Sequence, residues 1–147
     1  MIQGVIISPL TQIFDERGKV MHMLREDDIV FSKFGEIYFS YTYPNAIKAW
    51  HLHTKMTINY AVVSGAINFV LYDDREDSPT KGEIQEIFMS PENYYLVTVP
   101  PLIWNGFKGL GVGSSIVANC ATMPHDPDEI RRKPAFDNNI PYNWDLH

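Results

Sequence analysis

Cysteine is nearly absent: Cys120 is the only one in 147 residues. An internal disulfide is therefore excluded, and the fold must hold together by packing alone. Basic residues are also few, 12 Lys and Arg against 18 Asp and Glu, which leaves a formal net charge of −6. Nucleic-acid binding draws its affinity from clustered cations on phosphates, so no nucleic-acid partner is expected. The densest basic cluster, Arg131-Arg132-Lys133, reads as a solvated turn after a short helix. An acidic chain can still bind an anion where a few cations converge in a cleft. No apolar run approaches the roughly 20 residues of a membrane-spanning helix, so no membrane partner is expected either. Met1-Ile2-Gln3-Gly4 does not open a basic-then-apolar leader. With the single cysteine, this points to the reducing cytoplasm.

What the chain does have is β-pattern. At 147 residues it fits one domain, residues 1–147, of a size that buries about two thirds of its unfolded surface. Period-two segments at 19–24, 36–43, 57–63, 66–72, 83–89, 94–99 and 115–121 are rich in Val, Ile, Phe and Tyr. Gly, Pro, Asp and Asn separate them, the pattern of an antiparallel sandwich or barrel. Helix has room only at 26–34 and 127–132, the second with Asp126 as cap and Pro127 at the first helical position. Ser64-Gly65 reads as a tight hairpin, and 73–82 as a longer loop. Along 57–63, Ile58, Tyr60 and Val62 share one face and Thr57, Asn59, Ala61 and Val63 the other. Both faces are apolar enough to lie between a barrel lumen and a second layer or a partner subunit. Cys120, within an apolar run, reads as a buried structural thiol.

The chemical lead is His51-Leu52-His53. Two residues at i and i+2 of an extended chain point to the same face, so both imidazoles can serve one site. A neutral imidazole with a carboxylate on its other nitrogen is a competent proton acceptor near neutral pH. The pair is also half of the metal-ligand set of small cupin-type barrels, which need three or four ligands. At the usual spacing the carboxylate position falls on Ile58 and the second-half histidine on Asn105, so no metal is expected. Trp50 and Trp104 flank site positions and could stack on a base or sugar, or simply pack.

The residues together resemble the dTDP-4-dehydrorhamnose 3,5-epimerase family, cupin-like jelly-roll barrels that form dimers. Asp15-Glu16-Arg17-Gly18 is similar to its Asp-x-Arg-Gly, and Lys48-Ala49-Trp50-His51 stands where it has Arg-Gly-Leu-His. Arg75 through Gly82 is close to its Arg-x-x-Ser-Pro-Thr-x-Gly, the most specific match. Ser90-Pro91-Glu92-Asn93, Val99-Pro100, Gly106-Phe107 and the tail from Asp137 to Trp144 continue the likeness. The resemblance implies an all-β, double-stranded β-helix with one or two short helices. It implies a homodimer that epimerises a nucleotide-diphosphate 4-keto-6-deoxy sugar without a cofactor. In such enzymes a His paired with an Asp removes the α-proton, a Lys steadies the enolate and a Tyr returns a proton to the opposite face. Carried over, His51 is the base and Asp137 its orienting carboxylate, while Arg17 and Lys48 meet the diphosphate or sugar.

Three positions depart from the pattern: Ile58 stands for the Lys, Asn119 for or near the Tyr, and Asn105 for the second histidine. Asn119 can donate a hydrogen bond to an enolate oxygen but is no acid near neutral pH. Lys55 is a substitute cation, and Tyr60 or Tyr142 a substitute acid. His53, Asn105 and Trp104 complete the expected substrate contacts. Val20 and His22 stand where the family carries an aromatic and a Glu for the nucleotide. The segment from His51 to Lys55 also resembles the His-x-His-Lys of nucleotide-sugar 3,4-ketoisomerases, whose chemistry stays on one face and needs no opposed acid. A binding module that kept the pocket without catalysis is the other alternative.

Overall fold

Alternation of β-branched and aromatic residues with polar ones is realised as strand throughout the computed structural model, which describes residues 1–146. In chain order the strands are β1 (Ile6–Pro9), β2 (Gln12–Asp15), β3 (Gly18–Met21), β4 (Glu36–Thr42), β5 (Ile47–His53) and β6 (Ile58–Ser64). They continue with β7 (Ala66–Tyr72), β8 (Ile84–Met89), β9 (Tyr95–Val99), β10 (Trp104–Leu110), β11 (Ser115–Ala121) and β12 (Ile130–Arg132). One five-stranded sheet runs β1-β9-β6-β11-β4, the other β12-β5-β10-β7-β8, and β2–β3 forms a hairpin apart. The two sheets face each other as an antiparallel, cupin-like jelly roll.

Period two decides what each face buries. Ile58, Tyr60 and Val62 point between the sheets, against Phe69, Leu71, Val97, Phe107 and Val117. The other face of β6 carries Ala61, which packs with Tyr94 and Leu96 beneath Leu10, Met21, Met23, Leu24 and Val30. The second layer expected on β6 is thus supplied by the chain itself. A third apolar layer lies on the far side of the other sheet, where Ile140 and Trp144 cover Trp50, Val70, Tyr72 and Trp104. The Trp50 and Trp144 rings sit 5.2 Å apart between centroids, and Trp50 Nε1 donates to the Ala135 carbonyl.

Three expectations are revised. Ser64-Gly65 does not close a hairpin, because β6 and β7 belong to different sheets. Gly65, at φ +78°, turns the chain from one sheet to the other so closely against Ser115 that a side chain would collide with it. Residues 127–132 are not helical: after one turn closed by Glu129 N to Asp126 O, Ile130, Arg131 and Arg132 pair with His53, Leu52 and His51. Tertiary pairing overrides a local capping signal there. Residues 26–34 form turns only, and the one helical turn described is the 3-10 segment Trp144–Leu146. β10 lies outside the period-two segments read from sequence; its Gly106 lets it approach the Ala49 backbone of β5.

The Ser-Pro-Thr-x-Gly loop proves to be a fold element. Asp73, fully buried, accepts hydrogen bonds from Arg75 N and Nε, Arg75 Nη2, Ser78 Oγ and Thr80 Oγ1. Hydrogen bonds from Arg75, then from Ser78 and Thr80, hold its carboxyl well below the ordinary 3.8 in spite of burial. Asp73→Asn should therefore cost about 3 kcal/mol at neutral pH, read from the denaturant midpoint, since it leaves Arg75 beside a neutral partner. The folded state binds fewer protons at this site than the unfolded state. The contribution is therefore complete above the ordinary carboxylate value and lost as pH falls through the depressed one, and the variant should lack that acid-side loss.

Candidate functional site

A cavity of about 680 Å³ opens between β4 and β11 of one sheet and β5 and β12 of the other. Its geometry starts from a bulge in β5. Asn105 of β10 pairs with His51 but Phe107 pairs with Lys48, so β5 carries one extra residue there. An extra residue re-phases the alternation. Lys48, His51 and His53 consequently all line the cavity, while Trp50 also packs into the layer behind the sheet.

The two histidines lie edge to face, 5.4 Å between ring centroids, in different settings. His53 Nδ1 is 2.7 Å from Glu129 Oε1. A carboxylate only accepts, so Nδ1 carries the hydrogen, and in the neutral ring the lone pair is on Nε2. The other oxygen of Glu129 accepts the backbone N–H of Lys55 and of Met56, at 3.0 and 2.9 Å. Burial would raise the Glu129 carboxyl, but hydrogen bonds from His53, Met56 and Lys55 prevail and hold it below its usual value. His51 Nε2 instead meets the Tyr60 hydroxyl at 3.3 Å. Burial first, then the neighbouring His53 and Arg132, push its pKa down to about 3.

The facing wall is β4. Glu36, Tyr38 and Ser40 line the cavity, while the alternate residues Ile37, Phe39, Tyr41 and Tyr43 are exposed. Tyr38 is raised above its ordinary value of 10.0 by partial burial and then by Glu36, with Arg132 pulling the other way. Arg132 stands opposite His51 on β12 and lines the cavity. Of the basic cluster, Arg132 on β12 and Lys133 just beyond it line the cavity, and Arg131 turns away to the Asp128 and Ile130 carbonyls.

Of the residues expected from sequence, His51, His53, Lys48 and Asn119 line this cavity. Lys48 Nζ donates to the Tyr41 carbonyl at its rim. The Nδ2 of Asn119 is engaged by the Val117 carbonyl at 2.9 Å and by Ser40 Oγ and the Tyr38 carbonyl. That amide secures β4 and is not available to an enolate. Tyr60 and Asn105 are buried behind His51. Asp137 is not brought to the histidines: its Oδ1 accepts Asn139 N in the C-terminal turn, and the carboxylate at the pair is Glu129. Arg17 sits in the β2–β3 turn bound to Asp15. Lys55 contributes its backbone N–H. Trp104 packs on the outer side of the sheet, under the Lys133 ammonium at 4.8 Å from the ring centroid. Tyr142 donates to Glu86 there. Ile58 is core. Among the described residues no group of three or more His, Cys, Asp or Glu side chains is placed to hold a metal ion.

Glu129, Tyr38 and Arg132 were missed. Tyr38 had a signal, since polar residues occupy every second position from Glu36 to Thr42. Glu129 had none, being 76 residues from His53.

The whole chain, residues 1–147, matches the model of the family described as dTDP-4-dehydrorhamnose 3,5-epimerase. The chain belongs to this family. Membership in the dTDP-4-dehydrorhamnose 3,5-epimerase family makes it an enzyme of the nucleotide-sugar epimerase type. It is 35% identical over 146 residues to the spore coat polysaccharide biosynthesis protein SpsL of Bacillus subtilis, covering 98% of this chain and 97% of that protein. It is 36% identical over 135 residues to the probable low-salt glycan biosynthesis epimerase Agl13 of Haloferax volcanii, covering 88% and 86%. A solved dTDP sugar isomerase from Desulfovibrio desulfuricans matches with a TM-score of 0.96 at 45% identity, over 98% of this chain and 92% of that one.

In this family member the depressed pKa of His51 has a direct readout. Its ring resonances should stay constant from about pH 8 to 5 in an NMR titration; a midpoint above pH 5 would contradict the buried setting. The stability tied to the neutral ring is present above the ordinary 6.5 and is lost as pH falls toward about 3.

Proposed function

We propose that the protein epimerises or isomerises a nucleotide-diphosphate 4-keto-6-deoxy sugar, without a cofactor, by proton abstraction next to the ketone. The observation that carries the reading is the His53–Glu129 pair at the cavity wall. His53 Nε2 takes the α-proton, and the imidazolium that forms is stabilised by the Glu129 carboxylate on its other side. His51, which resists protonation and has no carboxylate partner, is the poorer base of the two. The ketone oxygen receives the electron pair as an enolate, and Arg132, paired opposite His51, is the cation for it. Lys48, at the rim, provides positive charge for the diphosphate. Tyr38, on the opposite wall from the histidines, is the acid that returns a proton to the other face of the ring. Its raised pKa keeps the phenol protonated for that step.

The test is incubation with a dTDP-4-keto-6-deoxyglucose pool in deuterated water, following the C3 and C5 protons by NMR. The parent should exchange and invert. Glu129→Gln should slow exchange at least about 100-fold. Tyr38→Phe should keep exchange but lose inversion. Exchange without inversion in the parent would favour one-sided ketoisomerase chemistry and overturn the role of Tyr38. No exchange, with ligand-dependent thermal stabilisation, would favour a binding role.

We also propose a homodimer in the cytoplasm. β4 is a sheet edge whose inner face is polar and whose outer face, Ile37, Phe39, Tyr41 and Tyr43, is apolar and exposed. A second copy of this chain covering that face would both shield the apolar side chains and pair or protect the edge. Light scattering should give twice the 16.9 kDa chain mass, and Phe39→Glu should reduce it to one chain; a monomeric parent would refute the assignment.

A further inference from the structure

Behind His51 runs a hydrogen-bond chain whose direction is fixed at its far end. Asn105 Nδ2 lies 3.1 Å from the Ile103 carbonyl, and a carbonyl only accepts. The amide nitrogen must therefore be on that side and Oδ1 on the other, where it accepts the Tyr60 hydroxyl at 3.3 Å. Tyr60 has one hydrogen, now committed to Asn105. Its oxygen can only accept from His51 Nε2, 3.3 Å away. Tyr60 and Asn105 are both buried, so a reversed chain would leave the Asn105 oxygen without a donor away from water. We propose that Tyr60 and Asn105 are positioning residues that hold His51 as the Nε2–H tautomer, leaving its Nδ1 as a fixed hydrogen-bond acceptor for a sugar hydroxyl.

His53 is set the opposite way, with Nδ1–H on Glu129 and Nε2 bare. Neither bare nitrogen is found among the described buried polar atoms that lack a partner, which fits both opening on the cavity. The same pair of rings thus presents one base supported by a carboxylate and one acceptor that does not become charged. That low pKa, set chiefly by burial, keeps His51 an acceptor throughout the working range. The hydroxyl-binding role rests on the proposed function. The tautomer does not, and the two are read separately.

The tautomer is read on the ligand-free, ¹⁵N-histidine-labelled protein by long-range ¹H–¹⁵N correlation at neutral pH. His51 should show a protonated Nε2 and an unprotonated Nδ1; an Nδ1–H or doubly protonated ring would overturn the proposal. Tyr60→Phe removes the acceptor and should shift His51 toward Nδ1–H, and an unchanged tautomer would remove Tyr60 from the role. Asn105→Leu frees the Tyr60 hydrogen to donate to Nε2, so the same shift is expected although Tyr60 is still present. A structural role alone would not produce that reversal. In turnover, Tyr60→Phe should raise KM about tenfold with a much smaller change in kcat, the pattern of a lost binding contact. A fall in kcat at unchanged KM would instead make His51 the base and overturn its assignment as acceptor.

Discussion

The buried carboxylate of Glu129 is the contact on which the site depends. It reaches the interior from a loop and is held there by His53 and by two backbone N–H groups at the end of β5. Its own carbonyl accepts the backbone N and the hydroxyl of Thr54. A charge in that position is tolerable only because each oxygen is occupied by donors. The same contacts that make burial possible fix the start of β12 against β5, and β12 in turn sets Arg132 opposite His51. Charge compensation and strand register are thus one arrangement seen from two sides.

The remaining features of the cavity follow from breaks in regular β geometry. A uniform β5 would turn Lys48 and His51 to opposite faces, three residues apart. The bulge brings them together, and Gly106 across the ladder leaves room for it. On the opposite wall β4 stays regular, but its polarity is inverted relative to an ordinary core strand. Polar groups point in because a ligand space lies there, and apolar groups point out.

Much of the architecture could be read from period-two pattern, because that pattern is a direct record of which face is buried. The segments that became β4, β6, β7, β8, β9 and β11 were legible for this reason. β10 and β12 were not. The glycines of β10 serve close approach between strands, and β12 is held by pairing rather than by its own propensity. The site divides similarly. His51 and His53 are neighbours on one strand, so spacing alone joins them. Their carboxylate arrives from the far end of the fold: the family resemblance points to Asp137, and only the folded chain brings Glu129 to His53. The Ser-Pro-Thr-x-Gly motif, specific as a family mark, holds a loop around Asp73.

The clasp of Trp144 and Tyr142 on Trp50 has a consequence for how the protein comes into being. Trp50 is bonded directly to His51, and its ring is covered by Tyr142 and Trp144, some ninety residues further along the chain. Glu129 arrives only slightly earlier. During synthesis β4 and β5 have no strand partner until β10, β11 and β12 have been made. The histidine strand gains its backing and its charge partner only as the final segment emerges. A chain lacking Glu129, Tyr142 and Trp144 would carry both histidines without the charge partner and the backing that define their setting.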